Sequence, residues 1–338
     1  QDTAEAIAGR LGIMEPGDDA AVITGAQLEE RSDEEFAQNV DKYSVYARVA
    51  PEHKVRIVNA WQKKGKVVSM TGDGVNDAPA LKAADIGIGM GITGTEVSKG
   101  ASDMVLADDN FATIVTAVEE GRKVFANIQK SIQYLLSANL GEVLTLFMMT
   151  MLGWDILAPV HILWINLVTD TFPAIALGVE PTEPGIMKQK PGGRASNIFS
   201  GGVGPAVIWQ GLLEGALTLG VYFVAITWPV HTANAAIHAD ALTMAYATLG
   251  LIQLFHAFNV KSVHQSLFTV GLFRNRAFNW AILASFLLLA VTILVPGFNG
   301  LFHVTTLALS QWGVVLGAGL LIIVIVEIVK FVQRRIAK

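Results

Sequence analysis

The chain has 338 residues, 52% of them hydrophobic and 16% charged, with a mean hydropathy of +0.47, which is too apolar for an ordinary soluble chain of this length and predicts a membrane protein. The lack of cysteine excludes a disulfide framework and thiol chemistry and leaves the redox compartment open, and a net charge of -5 gives no reason to expect a nucleic-acid partner. Charge is dense up to about residue 130 and sparse beyond it, so a soluble domain over 1–115 and a membrane domain over 116–338 are expected. No basic or apolar leader follows Gln1, so the start is expected to lie inside a domain.

In chain order, Thr3–Leu11 and Asp33–Val40 predict short helices, Tyr43–Val49 a strand, Pro51–Lys64 a helix with proline in its first turn, and Val67–Met70 a buried strand. Ile86–Met90 predicts another strand, Thr95–Ala101 a helical stretch, and Asp103–Leu106 a strand at the sheet edge. This alternation argues for an α/β layer with parallel strands, where ligands gather at the carboxyl ends of strands.

Directly after the apolar run Lys66–Met70 comes Thr71-Gly72-Asp73-Gly74-Val75-Asn76-Asp77-Ala78-Pro79-Ala80-Leu81. Mg²⁺ wants oxygen ligands and keeps part of its water shell, which suits Asp73 and Asp77, while Gly72 and Gly74 permit turn dihedrals and close backbone approach. A bare Asp-Gly-x-Asn-Asp is equally compatible with a solvated turn. Gly89-Met90-Gly91 with Gly94 reads as a strand-end turn in preference to a phosphate cradle. Lys54 opens a helix after a strand, where its ammonium can meet a phosphoryl group; taken alone it reads as a surface lysine.

Six apolar blocks, at about 132–152, 156–178, 203–228, 241–259, 279–296 and 312–332, approach the ~20 residues a bilayer span requires. Arg122, Lys123 and Lys130 precede the first block; Lys188, Lys190 and Arg194 follow the second; Lys261, Arg274 and Arg276 follow the fourth; Arg334, Arg335 and Lys338 follow the last. The other loops hold no lysine or arginine, which predicts both chain ends and the soluble domain in the cytoplasm.

Polar side chains inside such blocks are expensive and point to function. Asn139 and Glu142 are expected on one helix face, and Asn166, Thr169 and Asp170, at i, i+3 and i+4, on another. Pro173 has no N–H for the Thr169 carbonyl, so a backbone oxygen is expected to be on offer, and Gly141 is expected to admit a neighbouring helix. An interhelical hydrogen bond explains any one of these residues; two carboxylates among neutral oxygens need a cation to offset desolvation. Glu214 is expected to be structural, His256 to pack between helices, Glu327 to pair with Lys330, and Trp228, Trp280 and Trp312 to mark the membrane interfaces.

Thr71–Leu81 closely resembles the hinge loop of the P-type ATPases, ion pumps whose phosphorylation domain is of the haloacid-dehalogenase type, and Arg48–Lys54 and Ala101–Phe111 are similar to the family as well. Ser137–Val143 and Leu163–Asp170 resemble the fifth and sixth membrane helices of calcium pumps of the sarco/endoplasmic-reticulum type, and Gly178–Pro181 with Ile186-Met187 fits the same subfamily. The resemblance implies an α/β haloacid-dehalogenase-like (Rossmann-type) partial phosphorylation domain fused to a bundle of six transmembrane helices, the fifth to the tenth. It implies that Lys54 clamps a phosphorylated aspartate, Asp73 ligates Mg²⁺, Asn76 and Asp77 position the phosphoryl group and the metal, and Thr71, Gly72 and Asp73 form the cofactor-binding loop. It also implies that Asn139, Glu142, Thr169 and Asp170 build one ion site, with Asn166 and Asp170 reaching toward a second. The eighth-helix ligand, usually a glutamate, falls on Gln253, which removes a negative charge and leaves ion and stoichiometry open.

The expectation is thus the C-terminal portion of an ATP-driven cation pump, with Ca²⁺ as cargo, multi-pass in a bacterial plasma membrane and cycling through an aspartyl phosphate supplied outside this segment. Expected partners are the lipid bilayer, the cation, ATP with Mg²⁺, and an N-terminal remainder carrying the actuator and nucleotide-binding domains and the first four membrane helices. The helix through Asn139 and Glu142 is expected to couple phosphorylation to ion occlusion. The alternatives are a Na⁺ or H⁺ pump, a catalytically silent membrane scaffold, and a membrane-tethered haloacid-dehalogenase phosphatase.

Overall fold

The computed structural model describes residues 2–15, 21–193 and 196–336, in two compact units: Gln1–Val118 with Lys190–Ser196, and Glu119–Gln189 with Asn197–Lys338. Arg194 and Lys338, counted among the loop charges, lie outside the described residues. The first unit runs α1 (Asp2–Leu11), β1 (Val22–Thr24), α2 (Gly25–Glu29), α3 (Asp33–Asn39), β2 (Val45–Ala47), α4 (Pro51–Lys63), β3 (Ser69–Gly72), α5 (Ala78–Ala83), β4 (Ile86–Met90), α6 (Glu96–Ala101) and β5 (Met104–Leu106). All pairings are parallel, β1 with β2 and β3–β4–β5 in that order, with Thr71 opposite Ile88 and Gly89 opposite Val105.

Helix starts are set locally. The Thr24 hydroxyl accepts the Gln27 N–H at 3.4 Å while the Gln27 side chain accepts the Thr24 N–H at 2.9 Å, and Ser32 and Thr95 cap α3 and α6 through the N–H groups of Glu35 and Ser98. Pro51 opens α4, where no intrahelical donor is needed. Ile23, Leu28, Phe36, Val40 and Ala60 form a core between β1 and these helices.

Two small sheets stand where the sequence pattern predicts one layer, because the three residues of β1 are too few to display an alternation. β2 stops at Ala47, since Arg48 turns to φ +53°. β3 begins two residues late and runs on through Thr71 and Gly72: the Val68 N–H is taken at 2.8 Å by the Asp85 carboxylate instead of a ladder carbonyl.

Helix α7 (Phe111–Met151) starts in the last residues of the first unit and belongs to the second from Glu119 on; the second unit continues with α8 (Pro159–Ile165), a π-helical turn (Asn166–Asp170), α9 (Thr171–Leu177), α10 (Val203–Thr227), α11 (Asn234–Val260), α12 (Leu267–Val270), α13 (Arg276–Leu294), α14 (Phe298–Phe302) and α15 (Leu309–Ile336). Among the described residues, six helical stretches are long and apolar enough to cross a bilayer: 111–151, 159–177, 203–227, 234–260, 276–294 and 309–336. α7 starts well ahead of its apolar block because no proline interrupts the charged turns before it. α11 is the most enclosed of these helices: Ala241, Ala245, Ala247 and Ile252 are fully buried against neighbours such as Tyr222 and Val315. A helix walled in by protein needs small residues for close packing more than it needs hydropathy. Glycines let α7 and α10 meet: a Cβ on Gly141 would lie 2.9 Å from the Glu214 Cβ, and one on Gly215 would lie 2.8 Å from Leu144 Cδ2.

Candidate functional site

In the first unit the chain turns out of β3 at Gly72, where a Cβ would overlap the Asp77 side chain. Asp77 closes the loop from within. It is 7% exposed, its Oδ2 accepts the N–H groups of Asp73 and Gly74, both at 3.2 Å, and its Oδ1 pairs with the Lys54 ammonium from the first turn of α4. Burial pushes the Asp77 carboxyl up, but Lys54 and the two backbone donors outweigh it and hold the group below the usual carboxylate range. The Asp73 carbonyl accepts the Thr95 N–H at 2.9 Å and the Ser98 hydroxyl at 3.0 Å, so its backbone is pinned while its side chain, like that of Asn76, stays exposed. An exposed carboxylate on a pinned backbone, at the carboxyl end of a parallel strand and beside an ammonium, fits one ligand of a hydrated Mg²⁺ next to an anion. Asp77, with both oxygens engaged, orders Lys54 and the loop.

The glycine turn after β4 is a strand-end turn whose donors are used within the chain. Asp109 accepts the N–H groups of Gly91 (2.7 Å), Ile92 (3.1 Å) and Thr93 (2.8 Å) and the Thr93 hydroxyl (2.8 Å). Partial desolvation pushes the Asp109 carboxyl up, but these donors overcome it and lower it to about 2. The acidic pair Asp108-Asp109 just after β5 is the sequence signal for this cap.

In the second unit Glu142 is 3% exposed and accepts two amides, Asn166 Nδ2 at 3.1 Å and Gln253 Nε2 at 2.9 Å. Gln253 Oε1 accepts the Thr169 hydroxyl at 2.5 Å, so one glutamine from α11 joins α7 to the π-helical turn. Asp170 is 3% exposed, and neither of its oxygens has a hydrogen-bond partner. A buried carboxylate in that state needs a cation or a proton. Among the described residues no cluster of three or more acidic or imidazole groups assembles, so the group is Glu142 and Asp170 with neutral amide and hydroxyl oxygens from Asn166, Thr169 and Gln253.

Asn139 is not brought to this group. Its side chain is exposed and donates to the Leu135 carbonyl of its own helix at 2.6 Å. Residues three apart on an α-helix still differ by about 60° in direction, enough to leave Glu142 packed and Asn139 outside. The expected spare oxygen of Thr169 is also absent: Pro173 withholds its donor, but the Tyr134 hydroxyl of α7 supplies one, so a side chain fills the place of the missing N–H.

Sequence pattern also misses the buried charges at the loop ends of this unit. Lys130, 1% exposed, pairs with Glu183 at 2.7 Å; Lys261 pairs with Glu180 at 3.4 Å; Lys330 donates to the carbonyls of Asn259 (2.5 Å) and Ser262 (2.8 Å). Burial pushes the Lys261 ammonium down and Glu180 pulls it partly back. Glu327 pairs with Lys330 at 3.8 Å, as its spacing predicts, and also accepts the Ser266 hydroxyl at 2.6 Å and the Leu267 N–H at 2.9 Å. A loop-charge count sees the sign of these residues, and their burial follows only from the fold.

Residues 155–332 match the family described as cation transporting ATPase, C-terminus, and residues 2–85 match the haloacid dehalogenase-like hydrolases. Calcium-transporting ATPase 1 of Bacillus cereus is 46% identical over 345 residues, covering 99% of this chain and 38% of that protein. The calcium-transporting ATPase of Bacillus subtilis is 43% identical, covering 94% of this chain and 35% of its own length, and an endoplasmic reticulum calcium ATPase of Aspergillus fumigatus is 36% identical over 99% of this chain and 37% of its own length. The chain spans less than two fifths of the length of these relatives. With more than half of its residues inside the family match, the chain belongs to the cation-transporting ATPases and corresponds to their C-terminal region.

Proposed function

We propose that this chain is the C-terminal part of an ATP-driven calcium pump, with 1–115 as the second half of its phosphorylation domain and 116–338 as its fifth to tenth membrane helices. The observation that carries the reading is Asp170, a buried carboxylate without a hydrogen-bond partner within a stretch long and apolar enough to span a bilayer, one helix from Glu142. Ca²⁺ accepts six to eight oxygens in irregular geometry, which matches two carboxylates mixed with the oxygens of Asn166, Thr169 and Gln253. The relatives named as calcium-transporting ATPases support this cargo. A monovalent-cation pump is the second reading, favoured by the neutral Gln253 beside Glu142.

On this reading the soluble unit faces the cytoplasm of a bacterial cell, as the basic loops suggest. ATP and the aspartate that is phosphorylated come with the N-terminal remainder of the pump. Asp73, with Thr71 and Gly72 leading into it, would hold Mg²⁺, which when bound neutralises charge on the transferring phosphoryl group. Lys54, steered by Asp77, presents its ammonium to the same group, and Asn76 borders it from the exposed side of the loop.

The test uses a full-length pump carrying this chain. Asp170→Asn is expected to abolish Ca²⁺-dependent ATPase activity and vesicle uptake, and Asp73→Asn to abolish turnover while leaving Ca²⁺ binding largely intact. Full uptake by Asp170→Asn removes the site, and stimulation of the unmodified pump by Na⁺ but not by micromolar Ca²⁺ removes the cargo.

A further inference from the structure

Glu214 of α10 and His256 of α11 are both fully buried, and neither the two carboxylate oxygens nor the two ring nitrogens has a hydrogen-bond partner. They face each other, Glu214 Oε1 lying 3.6 Å from His256 Nε2. The Ser137 hydroxyl is a polar neighbour that reaches toward Glu214, and it also donates to the Gln133 and Tyr134 carbonyls of its own helix. The charged or ionisable groups near enough to act on the pair are Tyr134 and Glu142 of α7, Asp170 of the π-helical turn and Lys330 of α15. Two of these are carboxylates, so an ionised Glu214 without compensation would place a third negative charge in the buried interior. At Gly141 the Glu214 stem packs directly against α7, and Glu214 is fully buried.

We propose that Glu214 and His256 form a proton-binding site of the membrane unit, separate from the cation ligands, which holds one proton shared between carboxyl and imidazole and gives it up when the Glu142–Asp170 group takes a cation. The charge balance is explicit. With the proton on oxygen or on nitrogen the pair is neutral overall; loss of the proton leaves a carboxylate beside a neutral imidazole, one negative charge. That charge is repelled by negative charge on Glu142 and Asp170 while no cation is bound, and is tolerated once a cation offsets them. Proton loss and cation uptake therefore favour each other. This deepens the cation-pump reading and rests on it.

The experiment measures equilibrium ⁴⁵Ca²⁺ binding to the full-length pump at a series of pH values, with infrared difference spectra on Ca²⁺ addition. Each proton released per cation steepens the affinity by about tenfold per pH unit. Glu214→Gln and, as a second variant, His256→Gln are both expected to keep Ca²⁺ binding but to lose close to one such step of pH dependence, and the unmodified pump is expected to lose a protonated-carboxyl band on Ca²⁺ addition that is missing from Glu214→Gln. Should Glu214→Gln fail to fold, His256→Gln and the band in the unmodified pump carry the test. An unaltered pH slope in a variant that still binds Ca²⁺, or an unmodified pump whose carboxyl band does not respond to Ca²⁺, overturns the proton site. Absence of Ca²⁺ binding in the unmodified pump overturns the cation-pump reading instead, so the two failures are told apart.

Discussion

Gly141→Ala adds one methyl group where α7 and α10 touch, and the structure sets its cost. The new Cβ would stand 2.9 Å from the Glu214 Cβ and 3.3 Å from the Gly211 carbonyl oxygen. Comfortable carbon contacts are about 3.5–4.0 Å, so the helices must part by roughly half an ångström or more, and neither neighbour is the free end of a flexible side chain. The same parting opens the Leu140–Gly211 and Leu144–Gly215 contacts, whose Cβ approaches are 2.8 Å each. Overpacking of this kind costs about 1–3 kcal/mol, against which glycine-to-alanine in a helix returns up to about 1 kcal/mol, leaving a net loss of roughly 1–2 kcal/mol. A methyl group added at Gly121 of α7 or Gly220 of α10 would meet nothing within 4 Å, so these positions serve as controls that receive the gain without the loss. Thermal unfolding in detergent, followed by tryptophan fluorescence, should show Gly141→Ala melting several degrees below the parent while Gly121→Ala and Gly220→Ala match or exceed it, at about 2–4 °C per kcal/mol. Because Glu142 is the next residue, Ca²⁺ affinity should fall in the first variant only. Equal melting temperatures for all three would refute the idea that glycine contacts set the α7–α10 distance.

Three further outcomes follow from the sites. Lys54→Ala should slow phosphorylation of the full-length pump by ATP on the order of 10²-fold or more, read by rapid quench, whereas an unchanged rate would return Lys54 to the role of a loop tether for Asp77. Gln253→Glu exchanges an amide that donates to Glu142 at 2.9 Å for a carboxylate, so Ca²⁺ affinity should rise at alkaline pH and fall more steeply on acidification than in the parent; a parallel pH curve would count against the bridge. Asp109 titrates at about 2 in the fold, below the roughly 3.9 of an unfolded chain, so the stability it confers is complete above about pH 4 and is lost as pH falls toward 2. Asp109→Asn, which tolerates the φ of +50° at that position, should flatten the pH dependence of unfolding in that window, and identical curves for parent and variant would dismiss the cap.

Much of this molecule can be read before folding, and the limits have physical causes. Thr71–Leu81 declares itself because its glycines, carboxylates and proline act within a single turn, and Asp77 reaches its backbone partners only three and four residues away. Glu142, Asn166, Thr169, Asp170 and Gln253 are legible because polar oxygens stand out in apolar helices. Spacing alone overstates Asn139, since a shared helix face tolerates a divergence that burial does not. The Tyr134 hydroxyl on the Thr169 carbonyl, and the pairs of Lys130 and Lys261, join residues 35 to 81 positions apart, and no local pattern carries such distances.

Asn166–Asp170 winds as an i→i+5 turn, which houses one residue more than an α-helical path between the same flanks. Chain length is therefore uncoupled from direction at this point. Deleting a residue elsewhere along α8 or α9 would rotate everything beyond it by about 100° and turn buried faces toward lipid. A deletion inside the turn would let the two helices fuse with both flanks still facing their neighbours, while Asp170 is carried off its place. A single lost codon there would thus yield a bundle that packs as before but lacks the proposed cation site, a route by which a pump can become a scaffold in one step.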